Sequence, residues 1–165
     1  MASLRLPQEV IDANIFIDGY GFLGVSQKDD IKLPEIEEIQ EDFKAGGFEQ
    51  SYGTGTFKKL EFEISVKEVN PVIFAAMGAG LKSGKGILIT IKGSIAQEGK
   101  KLPFVATIKS NPNIQIEGAK TTIKGVATYF EYEYKGIPLC RFNTKNMIAE
   151  IGGIDYLAEL RNQIS

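Results

Sequence analysis

Apolar and polar residues alternate along most of this chain with the period of a half-buried sheet. Between Lys59 and Lys67, the apolar Leu60, Phe62, Ile64 and Val66 alternate with Lys59, Glu61, Glu63, Ser65 and Lys67, so one strand face is apolar. Ile87, Ile89, Ile91 and Ile95 repeat the pattern, and Leu102, Phe104, Ala106 and Ile108 continue it after a turn predicted at Glu98-Gly99. Thr121 to Tyr134 is a long β-branched and aromatic run, and Lys135-Gly136 reads as the turn of a hairpin into Ile137 to Phe142. Nearer the start, Asn14 to Asp18 is a short strand punctuated by Gly19-Tyr20-Gly21.

Two helices interrupt this pattern. Asn70-Pro71 is a start signal, with Asn as cap and Pro at the first helical position; Val72, Ile73, Ala76 and Met77 follow, and Gly78 is the expected stop. A second helix is expected from Asp155 as cap, with Ile154, Leu157, Leu160 and Ile164 at helical spacing and Glu159 and Arg161 facing outward. The segment Pro34 to Phe43 is ambiguous. Ile36, Ile39 and Phe43 have helical spacing, whereas as a strand the segment would place Ile39, Phe43 and Ala45 on one face. Beyond it, Ala45 to Thr56 reads as an extended, flexible Gly-rich loop carrying the aromatics Phe48 and Tyr52, a composition suited to partner contacts.

Composition narrows the chemistry. With 165 residues the chain fits a single domain, 1–165, able to bury a core without a staple. Lys plus Arg is 19 against 21 Asp plus Glu, so no basic surplus points to nucleic-acid binding. There is no His, which removes imidazole bases and His metal sites, and the single Cys140 reads as a small apolar strand residue. The opening MASLRLPQEVIDA has no continuous apolar stretch of the secretory kind, and the uncharged run Val69 to Leu81 suits a buried helix rather than a membrane span.

The candidate sites weaken on inspection. Ala79-Gly80-Leu81-Lys82-Ser83-Gly84-Lys85-Gly86 resembles a phosphate-binding loop, but Gly86 stands where the magnesium-holding hydroxyl belongs, and a helix precedes the loop while a strand follows. A helix-to-strand connection is the plainer reading. Glu35, Glu37, Glu38, Glu41 and Asp42 form the densest carboxylate cluster and read as a solvated face. The aromatics from Tyr129 to Tyr134 have few interleaved basic residues, which favours packing over base stacking. No catalytic residue, cofactor site or metal site emerges, and the chain reads as a non-enzyme.

A family resemblance then organises the chain. Asn14-Ile15-Phe16-Ile17-Asp18-Gly19, Gly24-Val25 and Leu33-Pro34 leading through an acidic-apolar segment into Ala45-Gly46-Gly47 resemble the major tail tube proteins of contractile-tailed phages and R-type pyocin-like particles. So do Tyr129-Phe130, Asn146-Met147-Ile148, Gly153-Ile154-Asp155, Leu157 and Arg161-Asn162. The resemblance implies a mainly β subunit, sandwich-like or barrel-like, with one or two short flanking helices. It implies homohexameric rings whose sheets join into an inner barrel of about 24 strands, roughly 48 Å across at ordinary spacing and tilt. Rings would stack into a hollow tube in the tail of a virion or phage-tail-like particle, assembled in the bacterial cytoplasm. The implied partners are sheath, tape-measure and baseplate hub proteins, and DNA would pass without specific contact. The tube of a type VI secretion system is the alternative.

The resemblance also implies that Glu35 to Lys44 is a strand leading to an inter-ring contact loop of Ala45, Gly46, Gly47, Phe48, Tyr52, Gly53 and Gly55. The long run around Thr128, Phe130 and Tyr132 is the expected inter-subunit strand. Ile114 to Lys124 lacks the longer acidic, Gly-rich connection expected of relatives.

Overall fold

A computed structural model describes residues 9–27, 30–68 and 71–164. In chain order the elements are β1 (Glu9–Ile17), β2 (Gly21–Gln27), β3 (Ile31–Lys32), β4 (Glu38–Ala45), β5 (Phe48–Phe57) and β6 (Glu61–Val66), then helix α1 (Pro71–Ser83). There follow β7 (Ile87–Gln97), β8 (Lys100–Ser110), β9 (Asn113–Glu117), β10 (Lys120–Tyr134), β11 (Ile137–Asn143), β12 (Ile148–Ile151), β13 (Ile154–Asp155) and helix α2 (Ala158–Ile164). The subunit is mainly β, as the alternation predicts, and its sheets stay open rather than closing into a barrel.

The long strand β10 belongs to both layers. Its first half, up to Val126, pairs with β6 and β9; its second half, from Ala127, pairs with β8 and β11. The larger sheet runs β13-β12-β11-β10-β8-β7-β1-β2, entirely antiparallel. At the crossing the β8 ladder slips between Ala127 and Tyr129. Short bonds hold the strand there: Leu60 C=O accepts from the Ala127 amide at 2.7 Å, and Ser110 Oγ donates to Val126 C=O at 2.7 Å. The inward faces then meet. Phe62, Ile64 and Ile123 of the smaller layer are buried with Ile15, Ile89, Ile91, Ile108 and Phe130 of the larger one.

Glycine permits one tight approach in this core. Gly93 of β7 faces Phe104 of β8 in register, and a Cβ there would sit 2.6 Å from the phenyl ring and 2.8 Å from Asp12 C=O. The ring fills the space a side chain would take, and Tyr132 stacks on its other side at 5.8 Å.

Several boundaries differ from the sequence expectation. Helix α1 does not stop at Gly78, because its buried face continues through Ile73, Ala76 and Gly80; it stops where Gly84 takes φ +72°. Its expected cap Asn70 lies outside the described residues. Helix α2 begins at Ala158 rather than just after Asp155. Asp155 closes the short β13 instead, and its Oδ1 accepts from the Leu157 amide at 3.1 Å and the Ala149 amide at 3.4 Å. Its other oxygen meets Arg161 at 2.9 Å, while Arg161 Nη1 donates to Met147 C=O, so Arg161 is a clamp rather than an outward-facing charge. The side chain of Leu160 lies outside the described ones.

Of the segment 35–44, residues 38–44 are strand, within β4, while 35–37 lie in no regular element. The expected flexible loop 45–56 is corrected: Ala45 ends β4, only Gly46-Gly47 is a turn, and 48–56 belong to β5, paired with β4 from Phe48 to Gly53. Gly46 and Gly47 take φ +60° and +81°, the pair of left-handed conformations that a two-residue hairpin turn requires.

Two measurements check this packing. Gly93→Ala should lower unfolding free energy by about 1–3 kcal/mol, the usual cost of forcing volume into a filled core, read as a shifted urea midpoint. The second concerns Asp155. Burial pushes its carboxyl up, but the Arg161 guanidinium and the two amides together outweigh burial and hold it below the usual carboxylate range. The folded value is thus below the unfolded one, so the clamp stabilises above about pH 4 and is lost as pH falls through the folded value. Protection of amides 158–164 from hydrogen exchange should therefore collapse on acidification before that of β10, and Asp155→Asn should abolish it already at pH 7.

Candidate assembly surface

Strands β4 and β5 form a two-stranded sheet of their own, an arm paired with no other strand among the described residues. The arm is anchored at its root. Lys58 donates from its amide to Glu37 C=O at 2.8 Å and from Nζ to Glu37 Oε1 at 2.9 Å, and that side-chain hydrogen bond, then the Glu37 charge, raises the Lys58 pKa. The Phe57 ring meets Phe142 of the large sheet edge-on at 5.7 Å. A cleft of about 870 Å³ opens between this root and the β6 layer, lined by Leu33, Ile39, Phe57 and Val126 among charged residues. Lys32 and Glu63 face each other there at 3.8 Å.

The register sorts the arm into two faces. Residues opposite each other share a face. Phe43 faces Gln50, Ala45 faces Phe48, and Glu41 faces Tyr52. One face therefore presents Ile39, Phe43, Ala45 and Phe48, with Glu41 and Gln50 among them. The other presents Gln40, Asp42, Lys44, Glu49 and Ser51, where Ser51 Oγ donates to Asp42 Oδ1. The apolar face is exposed: Phe43 is 41% accessible and Phe48 72%. A lone hairpin is marginal in water, and a contiguous exposed apolar face at a projecting tip is the mark of a contact surface.

The sequence-singled residues separate on this geometry. Ala45, Gly46, Gly47 and Phe48 form the arm's tip. Tyr52, Gly53 and Gly55 lie within β5, Tyr52 opposite Glu41 and Gly53 opposite Gln40, with side chains 52–56 outside the described ones. Thr128, Phe130 and Tyr132 sit in β10, which is paired on both sides within the chain. Its ladder groups are taken by β8 and β11 and Phe130 is buried, so the strand offers no open edge for a neighbour's ladder. Thr128 marks the crossing: its hydroxyl donates to Lys109 C=O at 3.2 Å and its carbonyl accepts from Thr144.

The other candidates take structural roles. Ala79 to Ser83 is the C-terminal end of α1, where carbonyls rather than amides point outward, so the helix dipole opposes phosphate. Burial pushes the Cys140 thiol up, away from thiolate at neutral pH. Burial and then Glu131, 2.6 Å away, push the Tyr129 phenol up to about 12. Among the described residues no cluster of carboxylates and thiols could hold a metal ion. Ile39 and Phe43 share the exposed face that the strand reading of this segment predicts.

Because Phe48 is so exposed, Phe48→Ser should leave the urea midpoint of the subunit unchanged within about 0.5 kcal/mol. A larger loss would show that the tip packs on its own subunit.

Comparisons with known proteins follow this geometry. A family model described as phage tail tube protein FII matches residues 7–164. The chain is 23% identical to the tail tube protein of Escherichia phage P2 over 181 aligned positions, covering 98% of this chain and 99% of that one. Among solved structures, a chain in the six-fold symmetrised cryo-EM structure of the anti-feeding prophage baseplate aligns with TM-score 0.46 and 11% identity, over 88% of this chain and 99% of that chain. The family model spans both layers, the arm and α2 alike, and the chain belongs to the phage tail tube protein FII family.

Proposed function

We propose that this protein is the repeating structural subunit of the inner tube of a contractile phage tail or phage-tail-like particle, with no enzymatic activity. Copies form six-membered rings, rings stack into a hollow conduit inside a sheath, and the tube grows from a baseplate hub around a tape-measure protein. Family membership supports the tube role and favours a phage tail over a type VI secretion tube.

The observation that carries the assembly step is the exposed apolar face of the arm. Phe43 and Phe48 lie on a projecting hairpin whose own subunit leaves them accessible. Burying them against the next ring would contribute about 2–4 kcal/mol per copy, multiplied around each ring. Ordering a free arm costs conformational entropy, so a preformed ring is the natural nucleus for growth.

The outward face of the large sheet suits a conduit lining. Across the strands, Phe16, Thr90, Thr107, Glu131, Arg141 and Glu150 form one cross-strand row. Arg141 Nη2 pairs with Glu150 Oε2 at 3.2 Å. A lining of hydroxyls with one carboxylate in excess, Glu131 and Glu150 against Arg141, does not grip a passing polyphosphate.

Replacing Glu41–Tyr52 with two glycines keeps the Gln40–Gly53 pair and shortens the arm. The variant should remain folded by circular dichroism and form rings at most, while the full-length protein forms tubes by negative-stain microscopy. Regular tubes from the shortened variant would place the stacking energy elsewhere.

A further inference from the structure

Charge is divided unevenly between the two ends of this subunit. Between 35 and 57 there are six carboxylates (Glu35, Glu37, Glu38, Glu41, Asp42, Glu49) and one lysine, Lys44, while the whole chain is only −2. The rest of the chain is therefore net basic, and part of that excess is concentrated. The β7–β8 turn carries exposed Lys100 and Lys101, and the β10–β11 turn carries exposed Lys135, whose Nζ sits 5.5 Å over the Tyr134 ring. Both turns lie at one end of the large sheet. The Lys135 amide donates to Pro103 C=O, and Gln97 pairs with Lys100 at that end. Glu98 is the carboxylate of the same turn.

The arm is rooted towards the other end. Phe57 packs on Phe142, which is in register with Phe130, and Phe130 with Ile108. From Ile108 to Lys100 is eight residues of β8, roughly 27 Å along the strand. The acidic arm is thus rooted at the end of the sheet opposite the basic one. Glu37 at the root is paired with Lys58 of its own chain, but a second copy in the same orientation can bring Asp42 and Glu49 of the arm to the lysines of the basic end. Repeated, that contact is head-to-tail and generates an open stack rather than a closed dimer.

We propose that the arm of one copy seats against the Lys100, Lys101 and Lys135 turns of a copy in the next ring, with Asp42 and Glu49 on the arm's polar face opposite those lysines. This rests on the tube reading for the repetition, although the pairwise contact does not require it. Surface ion pairs add little affinity singly, so their role here is direction: the apolar face supplies attraction, and charge rejects tail-to-tail approach.

The test uses wild-type protein as an equal mixture of ¹⁵N-labelled and unlabelled chains, treated at assembly concentration with a carbodiimide, which joins a carboxylate to an amine in contact. Crosslinked peptides of mixed isotope should join Asp42 or Glu49 to Lys100, Lys101 or Lys135. In parallel, Lys100→Glu/Lys101→Glu/Lys135→Glu should raise the concentration needed for assembly by about tenfold or more at low salt. Adding Asp42→Lys/Glu49→Lys to that chain should bring it back towards wild type. Mixed crosslinks that avoid these lysines, or a combined variant no better than the triple, would overturn the inference. If these crosslinks form but no tubes appear, the contact stands and the tube reading falls; tubes without these crosslinks give the reverse.

Discussion

The subunit depends on one strand being shared between two layers. β10 is hydrogen-bonded on both sides along most of its fifteen residues, first by β6 and β9 and then by β8 and β11. A strand that changes layers must twist where its partners change. The slip between Ala127 and Tyr129, held by Leu60 and Ser110, is where it does so. From that crossing the inward faces of both layers converge, and the isoleucine-rich core follows.

A strand so fully paired leaves little for a neighbour. Assembly contacts must then come from what the core does not consume, and the arm is the most conspicuous remainder. Among its described side chains only Phe57, at the root, packs against the buried core. Retaining a hairpin with two accessible phenylalanines is a solubility liability in a lone subunit. In the proposed polymer the same face would be a contact held in reserve until a ring is present. Separating the apolar and charged faces lets one hairpin provide both attraction and orientation.

Much of this was legible in the sequence because alternation is a local property. The β6, β7, β8 and β10 patterns needed no tertiary information, and neither did the Lys135-Gly136 turn, where Lys135 and Gly136 take φ +53° and +76°. The segment 34–43 was not legible by pattern, because a spacing of four between Ile39 and Phe43 fits a helical face and a strand face alike. Only resemblance pointed to a strand. The run 48–56 reads as a loop in sequence because its glycines mask a pairing supplied by β4, a contact set by register rather than propensity. Gly78 misled in the opposite way: a glycine on the exposed side of α1 does not stop a helix whose buried face continues to Gly80. Strand length says nothing about where ladder partners come from: around Thr128, Phe130 and Tyr132 they are β8 and β11 of the same chain.

The central claim is that the arm joins one ring to the next in a tube. Cryo-EM of tubes grown from the purified wild-type protein tests it most directly. The account predicts stacked six-fold rings in which Phe43 and Phe48 of each copy are buried against a subunit of the adjacent ring. Tubes whose arms point into solvent, with the rings held together through other surfaces, would contradict it.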